Sequence, residues 1–282
     1  MRFKRFCSLS IAAAIGMSIL AGTAAAKETT TGVGFDFNQN DGGFTPIFSD
    51  YPNEQGVEEF YELRSGHEEV PIADAGKGLF LSGNNHSDDL FMGYFKELSG
   101  LAPETEYQFT VRFKLATNVE NDMIGIGGAT GESVFVKCGV ASEEPENSLD
   151  SLNHFRLNID KGSQSTGGAD MIVVGNLAKK EINRPGEYEF NEIETKVIAR
   201  TDEAGTAYLV IGTDSGFEGV TSYYLDDISA SWADTSEVSV TRGDAAKMLL
   251  DHAHRWDEIV GTPTFTDVAW EAPYAEAVAW AE

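Results

Sequence analysis

One stretch, residues 106–116 (EYQFTVRFKLA), most constrains what this chain can fold into. Tyr107, Phe109, Val111, Phe113 and Leu115 alternate with Gln108, Thr110, Arg112 and Lys114. Successive side chains of a strand point to opposite faces, so this pattern predicts a strand with one face buried and the other wet. Shorter runs of the same character are GLFLSG (78–83), LFMGYF (90–95), SVFVKC (133–138), FRLNI (155–159), MIVVG (171–175), EYEF (187–190), ETKVIA (194–199), TAYLVIG (206–212) and SYYLDDISASW (222–232). Between them lie Gly-, Asn-, Asp- and Ser-rich stretches such as ENDMIGIGGATGES and DKGSQSTGGAD, which are turn chemistry. About ten strands with polar loops and no long amphipathic helix imply an antiparallel β-sandwich over residues 33–232. A jelly roll is the member of that class that such a strand number fits.

The start of the chain reads as a secretory signal over residues 1–26. Arg2, Lys4 and Arg5 precede an apolar run from Phe6 to Ala21, and Ala24 and Ala26 give a small-residue cleavage pattern. The run is short for a membrane span of about 20 residues, so cleavage and secretion are expected. Thr23 of LAGT stands where a lipid-modified cysteine would be needed. Residues 27–32 are expected to be a disordered N-terminus. Of the two cysteines, Cys7 leaves with the signal. Cys138 then has no intrachain partner, and its alternation with Val134 and Val136 predicts a buried, inert thiol. The fold must be held by its core or by ions.

The formal charge of -26 becomes about -29 once the three signal cations are removed. Such a chain repels nucleic acid and anionic lipid and offers many carboxylates to divalent cations. After the signal, no apolar stretch is long enough to span a membrane.

Two loops concentrate candidate chemistry. In NNHSDD, Asn84, Asn85, His86, Ser87, Asp88 and Asp89 sit between two apolar strands. A histidine beside two carboxylates suits a metal site, a general base or a sugar-binding loop, while the same residues also build Asx turns. In GTDSGFEG (212–219), Asp214 and Glu218 are candidates for a glycoside-hydrolysing acid pair, for calcium ligands or for self-satisfied loop acids. Tyr51, Phe60, Tyr61, Tyr94, Tyr223 and Trp232 are candidates for stacking on sugar rings. Tyr51 and Tyr61, in loop-like acidic surroundings, are the two expected to be exposed. Nucleophile-elbow, zinc, phosphate-loop and dinucleotide motifs are absent, and GIGG (125–128) lacks the strand-then-helix context a dinucleotide needs.

The two ends of this region, GFDFNQNDGGFTP (34–46) and YYLDDISASW (223–232), resemble secreted carbohydrate-binding jelly rolls. The resemblance implies that first and last strands pair and that acids there hold a structural calcium. Asp36 and Asp226 are the positions carried over, with Asp41 and Asp227 as further candidates. Several internal stretches, 78–101, 125–137, 158–170 and 212–224, resemble a family of secreted bacterial proteins that brings no activity with it. That likeness covers most of residues 33–230 and implies one intact domain.

After a small polar linker at 233–238 the period changes. Thr241 is placed to cap a helix, with Asp244 three residues on. Ala245, Met248, Leu249, His252, Ala253 and Trp256 follow on one helical face. TRGD (241–244), FTDV (265–268) and the helical pattern after it resemble the S-layer homology family, so residues 239–282 read as a partial S-layer homology segment. Gly243 and Asp244 replace the family's Ala and Glu, and the sequence stops at Glu282 before the second half of a repeat. The family implies attachment to an anionic, pyruvylated secondary cell-wall polysaccharide. Arg242 would pair a ketal carboxylate at the helix N-terminus that Thr241 caps, and Asp267 would cap the next helix or bond sugar hydroxyls. An incomplete module predicts poor affinity by itself. The reading as a whole is a secreted, wall-associated protein whose jelly roll binds extracellular carbohydrate and calcium, leaning away from catalysis. A glycan-active hydrolase or lyase and a structural surface-layer component are the alternatives.

Overall fold

The computed structural model describes residues 31–180 and 185–235. The expected signal segment, residues 236–238 of the expected linker and the S-layer-like segment with Thr241, Arg242 and Asp267 lie outside the described residues. The elements in chain order are β1 (Thr31–Gly34), β2 (Thr45–Ser49), one helical turn α1 (Val57–Phe60), β3 (Arg64–Glu69), β4 (Lys77–Asn84), β5 (Leu90–Leu98), β6 (Glu106–Thr117), β7 (Val134–Ala141), β8 (Asn147–Leu149), β9 (Phe155–Leu157), β10 (Met171–Asn176), β11 (Glu189–Arg200), β12 (Ala207–Ser215) and β13 (Val220–Asp234).

One sheet has the order β11-β6-β13-β4-β3, with β1 added on β13, and the other has the order β10-β7-β12-β5-β2. The strand pairs are antiparallel. From β4 onward the chain passes from one sheet to the other at nearly every connection, the wrap of a jelly roll, and two faces meet in a common core. The first strand pairs with the last: Thr31 lies opposite Trp232 and Gly34 opposite Ser229. β1 therefore begins inside the stretch expected to be disordered, and β13 runs two residues into the expected linker.

β6 behaves as its alternation predicts. Phe109, Val111, Phe113 and Leu115 are buried, while Arg112 and Lys114 on the opposite face pair with Glu194 and Asp227. Two tyrosines tie the sheets across the core in opposite directions. Tyr223 of β13 donates its O–H to the Met92 carbonyl of β5 at 2.8 Å, and Tyr94 of β5 donates to the Phe80 carbonyl of β4 at 3.0 Å. Each ring supplies apolar area to the core and takes its polar tip to a backbone acceptor. Cys138 is fully buried, as expected, and burial pushes its thiol up to about 12.

The outer face of the second sheet is not left to water. Phe91, Phe95, Ala141 and Val210 on that face form a second apolar cluster with Ile47, Ile159 and Met171. The segment from β9 to β10 thus lies across the sheet as a cover. At Gly139 the cover comes so close that a Cβ would collide with the carbonyl of Asp170, so glycine here serves close approach.

Candidate functional site

The covered face carries charge as well as apolar area. Lys137 of β7 and Asp214 of β12 alternate with core residues, so both point outward beneath the cover. Lys137 shares its rung with Gly212 and Gly93, which leave the space above the sheet open. Lys137 Nζ donates to Asp214 Oδ2 at 2.8 Å and to the carbonyls of Lys161 and Thr166. From the cover, Lys161 Nζ lies 2.8 Å from Asp214 Oδ2 and 2.9 Å from Asp50 Oδ2. The Gln164 amide donates to the same Asp214 oxygen at 2.8 Å. The cover is folded on itself by Asp160, whose carboxylate accepts from the amides of Gly162 and Ala169.

Arg156 of β9 carries the network outward. Its Nη1 is 2.6 Å from Asp50 Oδ1 and 3.3 Å from Asp89 Oδ2, and its Nε is 3.0 Å from Asp150 Oδ2. Asp50, Asp89 and Asp214 bring carboxylate oxygens within 4.8 Å of one another. Three carboxylates this close would suit a divalent cation. Here two ammonium groups and a guanidinium already contact them, so charge is balanced and Lys161 takes the cation's place between Asp50 and Asp214.

The environment separates the three acids. Burial, then repulsion from Asp50 and Asp214, lifts Asp89 to about 6 against the opposing pull of Lys161 and Arg156. Burial holds Lys137 below the usual lysine range, with Asp214 countering. Burial also works against charge on Lys161, but Asp214 and Asp50 outweigh it and hold that amine above its ordinary value. Asp214 is fully buried, whereas the Asp89 side chain is 31% exposed and that of Arg156 39%. Of the three converging acids only Asp89 is offered to solvent, with Arg156 and, on the same guanidinium, the partly exposed Asp150. This corrects the expectation of an Asp214–Glu218 acid pair, because two carboxyl groups must reach the substrate in glycoside hydrolysis. Asp214 is sealed under the cover, and Glu218 is not among the three converging acids; its amide bridges to the Ile126 carbonyl at 2.9 Å.

Beside this cluster runs a row of rings. Phe60, 62% exposed, stacks on His86 with centroids 4.1 Å apart and planes 23° apart. Tyr61 meets both rings, Tyr51 lies 5.8 Å from Tyr61, and Phe155 lies 5.0 Å from Tyr51. The row ends next to Asp50 and Arg156 in the chain. Tyr51 and Tyr61 are buried, contrary to the expectation that they are exposed ligands. Backbone bonds from Asp50 to Phe155 and from Phe155 to Tyr51 draw this segment onto β9. Burial pushes the Tyr51 hydroxyl up to about 12. Tyr94 and Tyr223 are core residues, and Trp232 packs on Phe109.

The NNHSDD loop divides its labour. Asn85 is structural: its Nδ2 donates to the carbonyls of Ser215 and Phe217, and its Oδ1 accepts from the Ser87 amide in an Asx turn. Asn84 donates to Glu62 at 2.9 Å beside the exposed ring pair. Asp88 is left-handed at φ 58°, and its carbonyl accepts from Gln164 Nε2 at 2.6 Å. His86, whose Nε2 lies 3.1 Å from the Phe60 carbonyl, and the carboxylates of exposed Asp88 and half-buried Asp89 remain as the members with outward chemistry. Sequence reading missed Asp50, Lys137, Arg156, Asp150 and Lys161. Lys137 occupies a position that alternation marks as wet, and nothing local to it signals the cover.

The carried-over calcium positions lie elsewhere, where β1 meets the bulge of β13. Asp36 accepts from the Asn38 amide and from Gln39 Nε2, and these bonds, Gln39's first, hold it below its usual value. Burial raises Asp226, the Asp227 amide bond opposes, and the charges of Asp227 and Asp36 add to the rise. Asp227 itself pairs with Lys114 at 3.0 Å. Asp41 accepts from the Gly43 amide and closes a turn.

No protein-family model matches the chain, and no curated protein matches it. Solved structures similar to it include the CBM22-1 xylan-binding domain from Paenibacillus barcinonensis Xyn10C, at 9% identity and TM-score 0.35, covering 72% of this chain and 94% of that one. A family 11 carbohydrate-binding module from Clostridium thermocellum in complex with a β-1,3-1,4-mixed-linked tetrasaccharide matches at 12% identity and TM-score 0.32, covering 71% and 94%. A non-crystalline cellulose specific module, CBM28, matches at 12% and 0.32, covering 67% and 88%. Likeness this distant assigns no ligand to the chain.

Proposed function

We propose that this chain is a secreted glycan-binding protein, held non-covalently at the bacterial cell wall, whose sandwich takes carbohydrate at its loop end. The observation that supports the binding reading best is the exposed Phe60–His86 stack standing on buried Tyr61 and Tyr51, in a row that leads to Asp89 and Arg156. A flat exposed ring offers an apolar face to a sugar ring. A carboxylate and a guanidinium fixed by buried partners offer acceptors and donors to hydroxyl groups. The alternative of a glycan-active hydrolase draws on the raised Asp89; a second partly exposed acid, Asp150, shares Arg156 with it but is already committed to that guanidinium and to the Leu152 and His154 amides. Wall attachment rests on TRGD and FTDV alone, with Arg242 as the residue toward a pyruvylated polysaccharide. A structural calcium at Asp36 and Asp226 belongs to the same proposal.

The test is a glycan-array screen of the full secreted chain and its Phe60→Ala variant, paired with cell-wall sedimentation of an Arg242→Ala variant. The expectation is that Phe60→Ala loses array binding by about tenfold while thermal unfolding is nearly unchanged, since an exposed ring contributes little to the fold. Arg242→Ala is expected to reduce sedimentation and leave the array unaltered. Equal array binding by wild type and Phe60→Ala overturns the loop-end assignment, and equal sedimentation overturns that of Arg242.

A further inference from the structure

A concave site lies on the side of the sandwich, where the edge strands β10 and β11 face each other. It is a cleft of about 530 Å³ bordered by Asn121, Asn176, Asn191, Val174, Ile193 and the Lys179–Lys180 corner, with Glu192 and Glu194 at its rim. Its size falls in the range of small-molecule sites. β10 carries an irregularity between Val173 and Gly175, where its register against β7 shifts. Such bulges at sheet edges re-aim side chains.

Asn191 is the informative residue. It is 3% exposed, and its Nδ2 donates to the Ala178 carbonyl at 3.0 Å. That bond fixes the amide orientation, because the flipped form would set oxygen against oxygen. Its Oδ1 is then buried with no hydrogen-bond partner, a state that is unfavourable unless something donates to it. Asn176 offers the complementary group: its Oδ1 accepts from the Ala178 amide, which leaves its Nδ2 as a donor at the exposed lip. The lining therefore presents a buried acceptor and an outer donor over an apolar floor of Val174, Ala178 and Ile193. Lys179 is paired with Glu120 and Glu194 with Arg112, and Glu192 and Lys180 at the border balance in charge, so neither an anion nor a cation is favoured.

We infer that this lateral cleft binds a neutral polyhydroxylated ring, one hydroxyl of which donates to Asn191 Oδ1, directly or through one water, while a neighbouring hydroxyl accepts from Asn176. A vicinal diol is the simplest chemistry that both donates and accepts at adjacent atoms. The cleft is built by β10 and β11, whereas the ring row and charge cluster belong to the loop end, so the inference stands whether or not the loop-end reading does.

The experiment is an ¹⁵N–¹H titration of the full chain with neutral methyl glucopyranoside, galactopyranoside and xylopyranoside, with glucuronate and glucosamine as charged comparators. At least one neutral probe is expected to shift the side-chain amide signals of Asn191, Asn176 and Asn121 together with the Val174–Asn176 backbone. Asn176→Ala, at an exposed position, is expected to weaken that probe about tenfold, and Asn191→Leu to abolish the shifts. Phe60→Ala is expected to leave them unchanged, which separates this site from the loop end. If Asn191→Leu does not fold, Asn176→Ala decides alone. Shifts with no neutral probe, stronger binding of a charged comparator, or equal affinity in Asn176→Ala and wild type overturns the inference.

Discussion

Lys137 Nζ lies 2.8 Å from Asp214 Oδ2, and neither side chain is reached by solvent. Lys161 closes on the same oxygen from the cover. Removing one partner from such a pair leaves an uncompensated buried charge, which costs about 3–5 kcal/mol. Asp214→Leu, which strands the buried Lys137, is expected to lower unfolding stability by that amount, measured in urea, and Lys137→Met by less, because Lys161 and the Gln164 amide still hold Asp214. Lys137→Met combined with Asp214→Leu is expected to cost less than the two single changes added together, because the orphaned charge is gone. Strict additivity of the single effects would show that the pair is not energetically coupled.

Asp89 makes stability depend on pH in an unusual direction for a carboxylate. The folded chain keeps its proton up to about 6 because of burial and the nearby Asp50 and Asp214, whereas an unfolded aspartate releases it near ~3.9. Between these values the folded state binds more protons than the unfolded state. Its contribution is therefore fully present below the unfolded value and is lost as pH rises through the folded one. Asp89→Asn keeps the neutral form at every pH. It is expected to exceed the wild type in stability by about 1–3 kcal/mol at neutral pH, a range discounted for partial exposure, and to match it near pH ~4. Parallel stability profiles for the two proteins would remove this account.

The cover itself is testable at one atom. At Gly139 an added Cβ meets the Asp170 carbonyl and the Met171 Cα, both backbone atoms that cannot swing aside. Gly139→Ala is expected to destabilise the chain by about 1–3 kcal/mol through overpacking. The same change should speed hydrogen exchange at Gln164, whose amide is held by Asp214. Unaltered exchange at Gln164 would mean that the cover tolerates displacement at Gly139 without loosening from the charges below.

What was legible in the sequence follows from which signals are local. β6 and β12 were readable because alternation belongs to the strand itself. EYEF and ETKVIA were read as two strands, but they share β11, since Asn191 and Ile193 continue one inward row between them. β2 was missed because Pro46 breaks a strand pattern; it is tolerated at the sheet edge, where only β5 is paired. The site divides in the same way. Asp89 and His86 stood out as a polar cluster between apolar strands, yet Asp50, Lys137, Arg156 and Lys161 are spread over more than a hundred residues and meet only because the cover folds across the sheet. Tyr51 and Tyr61 misled for the converse reason: acidic neighbours signalled exposure, while the aromatic row with Phe155 buries both.

The calcium proposal makes the last prediction. Pairing of β1 with β13, and the bond from the Phe35 amide to the Ile228 carbonyl, bring Asp36 to the bulge that holds Asp226. Burial raises Asp226, with Asp227 and Asp36 adding to the rise, a repulsion that a divalent cation would relieve. At calcium about a hundred times its Kd, linkage adds ~2.7 kcal/mol, equivalent to about 5–10 °C in Tm for a domain of this size. Thermal unfolding with calcium and with EDTA is expected to differ by that order, and Asp226→Asn to erase the difference. Identical melting in the two buffers removes calcium from this fold. A difference that survives Asp226→Asn but disappears in Asp50→Asn moves the ion to the loop-end carboxylates and overturns the charge balance argued for Lys161.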